Sequence, residues 1–509
     1  MGQNIAMIYN SRTISNNLGK EMSILVETNV SDKGIPVFEI FGLISKSIEE
    51  SKKRITTAFN SCGIEFPLKS ISVNLSPAEL YKEGTYFDLS IAVTILQYTH
   101  KIKVSAEDIF IGELSFDGSV RGVSNLLFLT LVAKDLGYKK VFIPQDQVDE
   151  VKYIKGIDIY GVSSLSDLLN ISNLSHIKPG DLADEEAFNV GSTYNQILGN
   201  ENGKKVLAYC LAGKHNMLLE GFPGAGKSLL AKAAVDLLPK MDTHTLYKVL
   251  KIHSYSGINR TGILQSQPPF RSPHSSSSYS AIFGTTGNKI YPGELALADG
   301  GVLFLDEFPE FNRSILEGLR SPLEDKLISI SRGKLKVVFP CDFILIATQN
   351  PCKCGYFNHP KIICRCTPSE ISRYKNKISG PILDRIDVHF NFPHNNGVKI
   401  SDEYNSYSLE EFNLYRDRVV QVRDYLSNLK NTDRASFDTN KNMSNINIQS
   451  RICNSLSSLL ANVQEKYSIS NRKVFKLINL SFTISLFNNS EEIKDSHFFE
   501  ALQLSNIKI

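Results

Sequence analysis

The 509-residue sequence predicts an α/β protein built around a parallel sheet, on three observations. Short apolar runs alternate with helical patterns through the first 170 residues. The strand-like NMLLEG then runs straight into a glycine-rich loop and a helix. Two further runs, GVLFLDE and DFILIATQN, read as short buried strands suited to a parallel sheet.

A chain of this length exceeds one typical compact domain, so two to four folding units are expected. Hydrophobic residues at 42% and charged residues at 21% exclude a largely disordered chain. A net charge of +3 selects no partner, and an anionic one must be met by local patches. No stretch of about 18 uninterrupted apolar residues occurs, and the start lacks a signal pattern, which reads as a soluble, cytoplasmic chain with no membrane partner. Four of the eight cysteines crowd between Cys352 and Cys366, a poor disulfide framework and a better fit to a reducing compartment.

In chain order, SILVETNV, SISVNLS, IFIGELSF, KVFIP and IDIYGV read as strands, with helices over 44–60 and 89–98. These make a first domain over 1–170. A polar passage containing Lys178-Pro179-Gly180-Asp181 predicts a linker over 171–189. The core over 190–395 holds the glycine-rich loop, and the helical, polar remainder over 396–509 ends in a helix pair from Arg472 to Leu504.

Gly221 to Ser228 reads GFPGAGKS, with the strand before it and LLAKAAVDLL after it. In such a loop Gly221, Pro223, Gly224, Ala225 and Gly226 let backbone N–H groups turn inward around phosphates. Lys227 reaches the β/γ oxygens, and Ser228 offers a hydroxyl to Mg²⁺. ATP and Mg²⁺ are therefore the expected cofactors. In VLFLDE, Asp306 is placed to hold the Mg²⁺ shell and Glu307 to polarise an attacking water. Asn350 ends the next strand, where its amide can orient that water. Arg385, before a strand, and Arg472, at the start of a helix, can each present a guanidinium to a γ-phosphate.

Cys352-x-Cys354 and Cys364-x-Cys366 offer four thiolates at a spacing compatible with structural Zn²⁺, with His359 between them as an alternative ligand. LISISRGKLKVVF reads as a hairpin carrying Arg332, Lys334 and Lys336 near its tip, a candidate contact for nucleic-acid phosphates. Arg271 and His274 are the alternative contact.

The runs PPFRSPH, PGELALADGGVLFLDEFPEF, LRSPLED, ATQNPCKCG and ILDRID resemble the magnesium-chelatase-like AAA+ family, and the likeness extends over nearly the whole chain. The resemblance implies an AAA+ P-loop parallel-sheet core and a C-terminal helical lid. It implies Lys227 and Ser228 at phosphate and Mg²⁺, Asp306 and Glu307 as metal-shell and water-activating carboxylates, and Asn350 as sensor 1. Arg385 matches the arginine finger and Arg472 matches sensor 2. A finger acts on a neighbour's nucleotide, so a homo-oligomeric ring, a hexamer, is implied. The implied activity is a helicase-type DNA motor driving branch migration in recombination or natural transformation, on branched or single-stranded DNA. A chelatase-type motor subunit and a protein-remodelling ATPase are the alternatives. Pro268, Ser275 and Phe482 depart from the family pattern. The front of the chain is similar to the protease domain of Lon, an α/β domain. The serine and lysine of that enzyme fall on Tyr86 and Leu127, which implies a catalytically inactive Lon-protease-like domain.

Overall fold

The computed structural model describes residues 8–15, 21–32, 35–180, 193–257, 263, 266–285, 290–332, 335–393, 404–432, 459–460, 463–465 and 470–505. The chain divides into two compact units, Met1–Asp184 with Leu250–Leu264, and Glu185–Val249 with Gln265–Ile509. The helix Thr243–Tyr255 is shared out between them.

The first unit contains two four-stranded sheets. In one, Ile8–Ile14 pairs antiparallel with Ser23–Ser31, which pairs antiparallel with Ser70–Ser76, and Phe38–Phe41 adds a parallel edge. Alternation in SILVETNVS buries Ile24, Val26 and Thr28 on one face, as a half-covered strand requires. The helix Phe87–His100 buries every residue from Phe87 to Leu96, the pattern of a helix enclosed on all sides. Its buried Asp88 is held by Arg54 through bonds of 2.6 and 3.0 Å. Tyr86 and Leu127 are buried side chains, with the Tyr86 ring stacked on Phe87 at 4.6 Å.

The second sheet runs His176–Ile177, Asp158–Val162, Lys140–Pro144, Asp108–Phe110. Two expectations change here. The strand Ile8–Ile14 was not foreseen, because its apolar positions are too sparse to signal alternation. The predicted linker starts too early at 171. The 3-10 helix Leu165–Asn173 and the strand His176–Ile177 continue the unit, since backbone pairing to Ile159 and Tyr160 outweighs a polar composition. The rest of that linker, 181–189, lies outside the described residues.

In the second unit five parallel strands are ordered Phe270–Arg271, Val302–Leu305, Ile344–Gln349, Met217–Glu220, Val388–Asn391. The strand leading into the phosphate loop thus lies between two strands that both come later in the chain, Ile344–Gln349 and Val388–Asn391. The chain order reverses there, the position at which open parallel sheets bind ligands beyond their carboxyl ends. The predicted hairpin is present as Leu327–Arg332 against Leu335–Pro340. Lys336 on it is exposed, while Lys334 lies outside the described residues. The predicted Asn-rich stretch 440–447 also lies outside them.

The helices Tyr404–Thr432, Asn471–Phe487 and Asp495–Leu504 follow the sheet, and Phe412, Val419, Leu477 and Phe498 share one apolar core with Leu207, Met217 and Leu230. Phe482 is 2% exposed within that core. Polar ties join the helix Asn471–Phe487 to the sheet. Lys476 pairs with Asp387 at 2.7 Å, Lys473 with Asp384 at 3.2 Å, and His215 Nε2 meets Thr483 Oγ1 at 2.8 Å. Among the described residues no helix is long and apolar enough to cross a membrane.

This seam has a pH dependence. Burial, aided by the positive charge of Lys476 and opposed by Asp387, pushes the His389 imidazole down to about 4. Burial likewise lowers His215. Folding therefore holds both rings neutral, whereas the unfolded chain takes up protons near the ordinary value of 6.5. The stabilisation is complete above that value and declines as pH falls from about 6.5 towards 4. Thermal midpoints of the wild type should drop across this window, and His389→Gln should flatten the drop. An unchanged slope in the variant assigns the dependence to other groups.

Candidate active site

The strand Met217–Glu220 delivers the chain to Gly221 at the carboxyl edge of the sheet. Gly224 and Gly226 then take φ of +77° and +87°, left-handed values that side-chain-bearing residues rarely adopt. The turn ends at the helix Lys227–Lys232. The single helix expected over LLAKAAVDLL is two short ones, broken at Ala233 before Ala234–Leu237.

Lys227 is 8% exposed and curls back over the loop. Its ammonium donates to the carbonyl oxygens of Gly221 at 2.7 Å and Phe222 at 2.9 Å, and to Asn350 Oδ1 at 3.0 Å. Burial lowers its pKa from the ordinary value, with the Asp306, Glu220 and Glu307 carboxylates pulling the other way. Ser228 Oγ donates to Asp306 Oδ2 at 3.1 Å. The hydroxyl and carboxylate are thus paired where a divalent cation bound to nucleotide phosphates needs oxygen ligands.

Thr348, which sequence reasoning missed, braces the acidic pair. Its hydroxyl donates to Asp306 Oδ1 and accepts the Glu307 backbone N–H at 3.0 Å. Glu307 sits at φ +52°, an uncommon conformation for a residue with a side chain. Both carboxylates are exposed at the end of a fully buried strand. Among the predicted residues, Lys227 therefore meets Asn350 and Ser228 meets Asp306, with Glu307 the next residue along the chain.

Arg385 and Arg472 are brought together elsewhere. Arg385 Nε donates to the Arg320 carbonyl at 3.0 Å and Nη1 to the Pro381 carbonyl at 2.7 Å, and Nη2 pairs with Glu324. Arg472 Nη1 lies 3.3 Å from the same carboxylate. Burial would raise Glu324, but the two guanidinium groups outweigh it and hold its pKa below the ordinary value. Glu324 in LRSPLED is the second residue the sequence did not reveal, because its partners are 61 and 148 positions away.

The four cysteines converge. Their sulfurs all lie within 4.8 Å of one another, with Cys352 3.3 Å from Cys354 and 3.7 Å from Cys364, and Cys354 3.5 Å from Cys364. Tetrahedral thiolates about 2.3 Å from a zinc ion stand about 3.8 Å apart, so the set fits that ion. Backbone N–H groups of Tyr356 and Arg365 bring Cys354 down to about 6. His359 is not in the cluster. Its Nδ1 accepts the backbone N–H groups of Lys361 at 3.1 Å and Ile362 at 2.9 Å.

Of the candidate anion contacts, Arg271 is engaged by Glu294 through a two-pronged pair at 2.6 and 2.7 Å, which commits its guanidinium to the fold. His274 is exposed.

A family model described as magnesium chelatase, subunit ChlI, matches residues 193–400, and a second, described as subunit ChlI of Mg-chelatase, matches residues 26–147. The chain is 31% identical over 489 residues to the competence protein ComM of Haemophilus influenzae, covering 94% of each chain. It is 36% identical over 379 residues to the uncharacterized protein YifB of Escherichia coli, covering 73% of each. A shorter likeness, 28% over 149 residues, is to Lon protease 2 of Bacillus subtilis, covering 28% of this chain and 27% of that one.

Proposed function

Because the chain belongs to the magnesium-chelatase-like AAA+ ATPase family that includes the competence protein ComM, we propose that it is an ATP-driven motor that remodels branched DNA. The observation that carries the ATPase reading is the meeting of Lys227 with Asn350 and of Ser228 with Asp306 at the sheet's switch point. Lys227 takes the β/γ-phosphate oxygens, and Ser228 and Asp306 take Mg²⁺. Glu307 draws a proton from the attacking water, and Asn350 orients that water.

Arg385 is the finger and Arg472 is sensor 2. Their convergence on Glu324 supports a shared role towards a neighbouring subunit's nucleotide, in a hexameric ring. The core spans 190–395, with a helical lid over 396–509. The first unit, through the strand His176–Ile177, forms a Lon-protease-like domain that cuts no peptides, having Tyr86 and Leu127 where a nucleophile and its base would stand. The four cysteines hold a structural zinc ion in a cytoplasmic protein.

The DNA load is the reading favoured by the match to ComM over 94% of both chains. ATP hydrolysis should rise several-fold with a four-way DNA junction and much less with linear duplex. Stimulation by a porphyrin-binding partner or by an unfolded protein, with none by DNA, would replace this load with a chelatase-type or protein-remodelling one.

A further inference from the structure

The cysteine loop folds back onto the phosphate loop. Gly355 lies so close to Pro223 that a Cβ placed there would stand 2.5 Å from Pro223 Cγ. The His359 ring meets Phe222 edge-on, with centroids 4.7 Å apart and planes at 74°. Tyr356 also meets the His359 ring, at 5.6 Å and 81°. With Nδ1 accepting two backbone N–H groups, the ring is fixed in orientation and, when neutral, carries its proton on Nε2.

His359 and Phe222 line a cavity of about 420 Å³ with Ile197, Leu198 and Leu229. Gly224, Ala225 and Gly226 line the same cavity, so it continues directly from the phosphate-binding backbone. One end thus offers backbone amides and the other apolar and aromatic walls, and the volume falls in the range of small-molecule sites. That division matches a nucleotide, with charged phosphates at one end and a flat heteroaromatic base at the other.

On the ATP reading of the loop this cavity takes the nucleoside half of the nucleotide; we infer that His359 is its outer wall and that a divalent cation held by the four cysteines sets nucleotide affinity by fixing His359. The inference rests on reading GFPGAGKS as the ATP loop and the cysteines as a zinc site. The cation ties Cys352 and Cys354, beside the strand end, to Cys364 and Cys366, and so closes the segment that carries His359. Without that closure, ordering the intervening residues is costly in backbone entropy, and the base loses a wall. The effect is therefore read in nucleotide affinity.

The test uses the full chain, with metal counted by mass spectrometry and binding followed with a fluorescent ADP analogue. His359→Ala should bind about tenfold more weakly, the scale of one lost aromatic contact, while keeping about one zinc per chain. His359→Phe should restore affinity. Replacing Cys364 and Cys366 by Ser should remove the metal and weaken binding to the same degree. Equal affinity of wild type and His359→Ala overturns the role of His359. Wild-type affinity in the metal-free variant, or no zinc in the wild type, overturns the role of the cation. A wild type that binds no nucleotide at all, like Lys227→Ala, refutes the ATP reading itself.

Discussion

Glu307→Gln is expected to lower kcat for ATP hydrolysis by about 10²- to 10⁴-fold while leaving nucleotide affinity near that of the wild type. The two carboxylates that end the strand Val302–Leu305 are not equivalent. Asp306 is engaged by Ser228 and Thr348, whereas the Glu307 backbone is held by Thr348 and its side chain is left exposed beside the loop. The φ of +52° at Glu307 results from the turn that presents it, and that conformation persists because Thr348 Oγ1 fixes the N–H. Glutamine keeps the length and the hydrogen bonding of the side chain but cannot take a proton. Steady-state hydrolysis and equilibrium binding measured on the same preparation separate the two effects. Wild-type turnover in Glu307→Gln moves the water-activating role to another group.

Arg385→Ala should cost about 10³-fold or more in hydrolysis, the scale of an arginine supplied across an interface. None of its three hydrogen bonds reaches this chain's own phosphate loop. They go to Arg320, Pro381 and Glu324. Nucleotide binding by the variant should therefore persist. Because the substitution also strips a partner from Glu324, thermal unfolding must be compared alongside. Arg385→Lys keeps the charge there but loses the planar fork, and should recover little of the rate. Loss of affinity in step with loss of hydrolysis would mean that Arg385 acts by holding the fold.

The parts of this site legible in the sequence are those encoded by backbone chemistry over a few residues. GFPGAGKS announces itself because glycine readily accepts the left-handed φ values found at Gly224 and Gly226, which other residues rarely adopt. The strand before Asp306 reads as an uninterrupted apolar run, and the one before Asn350 as an apolar run up to Ala347. The paired CxC motif signalled four thiols, and the fold brings them within reach of one ion. What escaped is set by contacts distant in sequence. Glu324 gains its significance only when Arg385 and Arg472 arrive from other elements, and Thr348 only when its strand lies beside the one ending at Leu305. His389 looks like an ordinary strand residue until Lys476 of a later helix closes over Asp387 next to it. The grouping of Leu250–Leu264 with the first unit likewise leaves no local trace.

A site completed by a neighbouring subunit is the central claim, and mixing two inactive variants tests it most directly. Lys227→Ala lacks a working phosphate loop, and Arg385→Ala lacks the finger. In rings formed from equal amounts, about a quarter of the interfaces unite an intact loop with an intact arginine from the next subunit. Hydrolysis should therefore reappear in the mixture well above the sum of the two variants alone. A mixture no more active than that sum, despite verified co-assembly, would contradict a site shared between subunits.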